Sequence, residues 1–215
     1  MREIRSPPFG NNSVEESGAG RARPQAERLP DRRTLLKSAI AVGLTTVPGW
    51  LQAANNPQEP RKMRPQSGDR FVYASGEKEG TEVRPDDLQK GAPQILTWPM
   101  EPATKIVRDG SLLNHVLLSR FDPADLDEDT KANAADGIVA YSGTCTHAQC
   151  PITGWNGEKK VFNCQCHQSE FDPRHNGKVV FGPAPRLLPA LPLKIENGAL
   201  VSAGTFLGRV GTQNT

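Results

Sequence analysis

Two short stretches of this chain hold most of the residues able to do chemistry. Residues 145–150 read Cys-Thr-His-Ala-Gln-Cys, and residues 164–169 read Cys-Gln-Cys-His-Gln-Ser. Together they contain all 4 cysteines and two of the 4 histidines. One residue separates Cys145 from His147, two separate Cys164 from His167, and sixteen lie between His147 and Cys164. Each stretch can therefore present one thiolate and one imidazole from a single loop, with one cysteine to spare.

Several chemistries compete for this pattern. Zinc takes both residue types, and its structural sites use four such ligands. Its pairs usually stand further apart than Cys-x-His, and zinc leaves Cys150 and Cys166 without a task. Two plain disulfides use the cysteines but make both histidines incidental. A catalytic thiol needs one cysteine activated by one histidine, not two matching pairs. A 2Fe–2S cluster of mixed ligation uses two thiolates on one iron and two neutral imidazoles on the other. Replacing two anionic ligands by neutral ones leaves the cluster less negative and raises its reduction potential.

The stretches resemble the two cluster-binding boxes of Rieske iron–sulfur proteins, written C-T-H-x-G-C and C-P-C-H-x-S, with the likeness running over residues 137–185. The resemblance implies one 2Fe–2S cluster, with Cys145 and Cys164 on the buried iron and His147 and His167 on the outer iron. It also implies a Cys150–Cys166 disulfide clamping the loops, a bond that persists outside the cytoplasm. Ser169 matches the family serine that donates to a bridging sulfide. Such a donor stabilises the more negative reduced state and raises the potential. The stretch 181–185, Phe-Gly-Pro-Ala-Pro, resembles the proline loop that covers the cluster's third side. Gly182 and Pro183 fall in it, and a proline-rich loop is stiff with few free donors.

The chain departs from the family pattern at several positions. Gln149 stands in place of the usual glycine, and Gln165 in place of the usual proline. A side chain is costly at a positive φ, so the first loop is expected to differ locally. Ala148 occupies the exposed tip where respiratory members often carry leucine. Ala148 and Gln149 are accordingly expected at the partner-docking surface. Phe171 stands where high-potential members often carry tyrosine, so one hydrogen bond to a ligand sulfur is missing. A potential below the top of the family range, yet above dioxygenase-type centres, is expected.

The elements that must position these loops read as short strands. With 20 glycines, 19 prolines and 36% hydrophobic residues, the 215-residue chain suits one loop-rich β domain better than a helical bundle. Strands are expected at 71–74, 94–98, 104–108, 115–121, 137–142, 159–163, 177–181, 191–196 and 199–204. Turns between them suggest an antiparallel sandwich or small barrel. The family likeness sharpens this to a Rieske-type antiparallel β-sandwich with an inserted cluster-binding subdomain, its loops at 143–185. One helical turn is expected within 79–91, and Asp122 with Pro123 is suited to cap a helix in the acidic stretch 122–137. His115, in an apolar strand pattern, reads as a packing histidine.

The N-terminal segment reads differently. Residues 1–30 are polar and aperiodic and are expected to be disordered. Residues 31–37, Asp-Arg-Arg-Thr-Leu-Leu-Lys, followed by an apolar stretch, read as a twin-arginine export signal or membrane anchor within 1–54. Residues 55–70 read as a linker, and 71–215 as the Rieske domain. Twin-arginine export moves folded proteins, which suits a cofactor inserted beforehand. It places the domain on the periplasmic side of a bacterial inner membrane.

A formal net charge of +2 and the lack of a basic–aromatic stripe give no case for nucleic acid. Two functions remain foremost. One is the iron–sulfur subunit of a quinol-oxidising cytochrome bc-type complex, with cytochrome b and c subunits as partners. The other is the electron-relay small subunit of an arsenite-oxidase-like molybdenum enzyme, with its large subunit as partner. The export signal and the two extra cysteines oppose a ring-hydroxylating oxygenase domain.

Overall fold

In the computed structural model, residues 59–212 are described. Short β-branched and aromatic runs between turn residues form ten strands among them, β1 (Arg70–Tyr73), β2 (Ile95–Met100), β3 (Val116–Arg120), β4 (Ile138–Ser142), β5 (Gly154–Asn156), β6 (Val161–Cys164), β7 (Ser169–Asp172), β8 (Lys178–Phe181), β9 (Leu193–Glu196) and β10 (Ala199–Ser202). All pairings between these strands are antiparallel. One sheet runs β1-β2-β3-β4, a second runs β5-β6-β7-β8, and β9 with β10 forms a hairpin.

The hairpin and the segments flanking it are hydrogen-bonded to both edges of the first sheet. The Leu191 amide donates to the Ala140 carbonyl, and the Ser142 amide to that of Pro189, each at 2.9 Å. On its other side the Ser202 amide donates to Asp69 and the Gly68 amide to Ser202, each at 2.8 Å. The β5–β8 sheet thus interrupts a base built from both ends of the described chain. The expected mainly β fold with an inserted subdomain is what forms.

Period-two alternation lets one sheet serve two cores. Val116 and Leu118 of β3, with Ile138 and Ala140 of β4, pack with Phe71, Leu193 and Leu200. Leu117, Val139 and Tyr141 point to the opposite face and pack with Phe162, Phe171, Ile152, Cys145 and Cys164. All five residues of β4 are buried as a result.

Several local expectations differ from what forms. Residues 104–108 make only the isolated bridge Val107–Met100. The Thr104 hydroxyl donates to the Glu101 carboxylate and Lys105 takes φ 60°, which makes a turn there. Strands β5 and β7 lie outside the expected set. A single 3₁₀ turn, Pro123–Asp125, follows Asp122, whose carboxylate accepts from the Ala124 amide; helix α1 (Glu128–Asn133) starts later, capped by Asp127. Residues 59–69, whose composition suggests a tether, lie against the base. The buried Arg108 guanidinium donates to the buried Asp69 carboxylate at 2.6 and 2.9 Å. The Asn114 amide donates to the Met63 carbonyl at 2.8 Å. The export-signal or anchor reading falls outside the described residues, among which no helix is long and apolar enough to cross a membrane.

Candidate metal centre

The loop after β4 is closed at its neck by a bridge between Thr144 and Pro151. Inside it the Cys145 amide donates to the Cys150 carbonyl at 2.9 Å, and the Gln149 amide to the Cys145 carbonyl at 3.0 Å. The Thr144 hydroxyl donates to Leu112 O and the Thr146 hydroxyl to Arg186 O, at 3.2 and 2.6 Å. These bonds fix the residues flanking Cys145 to neighbouring segments.

The second loop is the turn of the β6–β7 hairpin, in which Cys164 and Ser169 are register partners. The Gln168 amide donates to the Cys164 carbonyl at 2.9 Å, repeating the bond that Gln149 makes. Gln149 and Gln168 each lie four residues after their cysteine and take φ 59° and 60°. The first loop therefore keeps a left-handed turn despite its glutamine, and the local difference lies in the side chain. A register irregularity follows at Glu170/Phe171; such bulges re-aim side chains.

The structure joins the loops by a Cys150–Cys166 disulfide. Cys145 and Cys164 are free and buried, each 1% exposed. The sulfurs of Cys150, Cys164 and Cys166 lie within 4.8 Å of one another. Two of them share the disulfide, which leaves Cys164 as the free thiol of that group. Burial pushes the Cys145 thiol pKa up, opposed by hydrogen bonds from the backbone at His147 and Ala148. Those same donors suit a sulfur made anionic by bound metal.

The rings of His147 and His167 meet edge to face, with centroids 4.6 Å apart. His167 is exposed and His147 half-buried. The Nδ1 atom of His147 is buried with no hydrogen-bond partner among the described residues. A metal ion satisfies such a nitrogen without a proton. Two buried thiols and two paired imidazoles thus fit a 2Fe–2S cluster of mixed ligation.

The proline loop covers this arrangement. Gly182 takes φ 87°, and a Cβ there would lie 2.6 Å from Ser169 Cα and 2.8 Å from Gln168 O. Only glycine allows the approach. The Ala184 amide donates to Ser169 Oγ at 3.2 Å, and Ser169 is fully buried. Ser169 thus uses an acceptor lone pair on the loop and keeps its own proton to donate. Pro183, Ala148 and Gln149 are exposed, whereas Phe171 is buried in the core beneath the loops. Sequence reasoning passed over Thr146 and Arg186, which tie the first loop to the end of the proline loop. A threonine beside a ligand histidine was the available signal.

A β frame carrying two buried thiols and two imidazoles on disulfide-joined loops is the architecture of a mixed-ligand iron–sulfur protein. The Rieske [2Fe-2S] domain model matches residues 125–192. The cytochrome bc1 complex Rieske iron-sulfur subunit of Streptomyces lividans is 33% identical over 136 residues, 60% of this chain and 78% of that protein. The subunit of the same name from Corynebacterium diphtheriae is 51% identical over 104 residues, 46% of this chain and 26% of that protein. That of Streptomyces coelicolor is 29% identical over 195 residues, 86% of this chain and 54% of that protein. The chain belongs to the Rieske [2Fe-2S] family. Its match spans about a quarter of the length of the subunits of that name from Corynebacterium glutamicum and Corynebacterium diphtheriae.

Proposed function

We propose that the chain is the Rieske iron–sulfur subunit of a quinol-oxidising cytochrome bc-type complex. Cys145 and Cys164 hold the inner iron of its cluster, and His147 and His167 the outer one. When bound, the cluster accepts and releases one electron at a time. The observation carrying this reading is the placement of the two imidazoles. Their rings stand together at the outer edge of the loops while the thiols lie inside. An imidazole nitrogen turned to solvent can accept a hydrogen bond from a quinol hydroxyl and take its proton. The buried thiols and the proline loop keep water from the sulfur side. The names of the relatives from Streptomyces and Corynebacterium support the choice of complex.

The partners on this reading are cytochrome b and c subunits, with Ala148 and Gln149 at the docking surface. The domain works on the periplasmic side of the membrane, delivered by the twin-arginine segment. Two measurements test it. The reduced protein should show the rhombic electron-resonance signal of a mixed-ligand 2Fe–2S cluster. The full-length chain, isolated from its own membranes, should copurify with a b-type haem protein. Copurification with a molybdopterin-containing subunit instead would replace this reading.

A further inference from the structure

The described residues end on the metal centre. Phe206 is part of the base core, and Val210 packs against that core. The chain then crosses to the first cluster loop, where two side chains meet it. The Gln149 amide donates to the Thr212 hydroxyl at 2.5 Å. The rest of that side chain lies over Gly211, where an added Cβ would come 3.0–3.1 Å from Oε1, Cδ and Cγ of Gln149. From the proline-loop side, the Arg186 guanidinium donates to the carbonyl of Arg209 at 2.6 Å and to that of Gly211. The Arg186 carbonyl in turn accepts from Thr146. These contacts form a closed circuit: first loop, Thr146, Arg186, residues 209–212, Gln149, and back to the first loop.

We propose that residues 205–212 are a clasp on the metal centre, and that Gln149 and Arg186 are its positioning residues. The inference rests on the reading of Cys145, His147, Cys164 and His167 as cluster ligands. Gln149 holds a backbone conformation that disfavours a side chain, and the side chain is used to grip Gly211 and Thr212. The clasp links the base core to the loop that carries His147 and Cys150. The disulfide and the proline loop hold the cluster loops to each other. The clasp holds the first loop to the base. Its effect is to retain the iron and to keep the His147 imidazole in one orientation.

The test uses the full-length protein as purified, with Q149G, T212V, the double variant, R186A and R186K. Three readouts are followed: iron release to a ferrous chelator after reduction, the linewidth of the reduced electron-resonance signal, and the rate at which a phosphine opens the Cys150–Cys166 disulfide. Q149G and T212V should each speed iron release about fivefold, the effect of losing one hydrogen bond. The double variant should match the singles, because both remove the same link. Linewidth and disulfide opening should rise together, and R186K should recover part of the R186A loss. Thr212 is half-buried and not a member of either core cluster, so its variant reports even if R186A fails to fold. Absence of any rhombic signal from the unmutated protein would defeat the cluster assignment itself. A normal signal with iron release, linewidth and disulfide opening unchanged in Q149G and T212V would overturn the clasp alone.

Discussion

Replacing Ser169 by alanine removes one oxygen from a fully buried site and should lower the reduction potential. Ser169 is the register partner of Cys164, and its Oγ accepts the Ala184 amide at 3.2 Å. Its own proton is therefore free for cluster sulfur. The reduced cluster carries one more negative charge than the oxidised one, so a donor favours the reduced state. Hydrogen bonds to charged groups contribute about 1.5–3 kcal/mol, and tenfold in a one-electron equilibrium corresponds to 59 mV, so the loss is bounded by about 65–130 mV, reached when the bond is made in the reduced state alone. Redox titration followed by circular dichroism reads the midpoint directly. Ser169→Ala also leaves the Ala184 amide without its acceptor, so a lid effect must be separated from a cluster effect. Pro185→Ala loosens the same loop while keeping the hydroxyl and should move the midpoint far less. A Ser169→Ala protein whose midpoint stays at the parental value would refute the assignment of this proton to the cluster.

Three further outcomes follow from the packing. Burial lowers the pKa of His115 to about 4, so between that value and the unfolded value of about 6.5 the unfolded state binds more protons. Stability is then intact above the upper value and falls as pH drops through this window, by about 2 kcal/mol near pH 5. His115→Phe, which retains a ring against Trp98, should flatten that slope in urea unfolding. Gly182→Ala places a methyl 2.6 Å from Ser169 Cα at φ 87°. Strain and overlap together should cost about 2–4 kcal/mol and detach the proline loop, seen as lower stability and faster bleaching of the visible spectrum. Asp69→Asn leaves Arg108, 4% exposed, without its counter-charge, and chemical denaturation should show a loss of about 3–5 kcal/mol.

The candidate site was more legible in the sequence than the frame around it. Cys and His at fixed spacing are rare and chemically specific, so the two boxes single out candidate residues, which the structure brings together, without help from distant contacts. The strands that are easy to read, such as β3 and β4, are runs of valine, leucine and isoleucine. Strand β7 escapes notice because its sequence, Ser-Glu-Phe-Asp, looks like a surface turn. All four residues are nonetheless buried. Glu170 is held ionised by Lys159 at 2.8 Å and Asn156 at 3.1 Å. Burial disfavours the Asp172 carboxylate, and Arg174 and His175 outweigh it. Glu170 finds its partners on the preceding β5 and the turn after it, and Asp172 finds its own in the turn that follows, so polarity alone misplaces the residues. The same holds for 59–69, whose charged, proline-rich composition suggests a tether. Asp69 finds its partner thirty-nine residues away, a pairing that no local pattern contains.

The two glutamines show why a family motif can lose its glycine and keep its shape. The left-handed residue in each loop donates its amide to the carbonyl of the cysteine four positions earlier, at 3.0 and 2.9 Å. That bond closes the turn and depends on the backbone, not on the residue type. Glycine lowers the strain of the turn, but the closing bond, the flanking strands and the disulfide together over-determine it. A side chain is tolerated where it finds contacts that offset its strain. At Gln168 the amide donates to the Gln165 carbonyl within the same loop at 3.1 Å. At Gln149 it reaches out of the loop to Thr212. One substitution is thus locally contained, and the other connects the first cluster loop to the end of the described chain. Equal backbone geometry at the two positions therefore carries unequal consequences, and the effect of removing each side chain separates them: Gln168→Gly should relax a turn, while Gln149→Gly should release a segment.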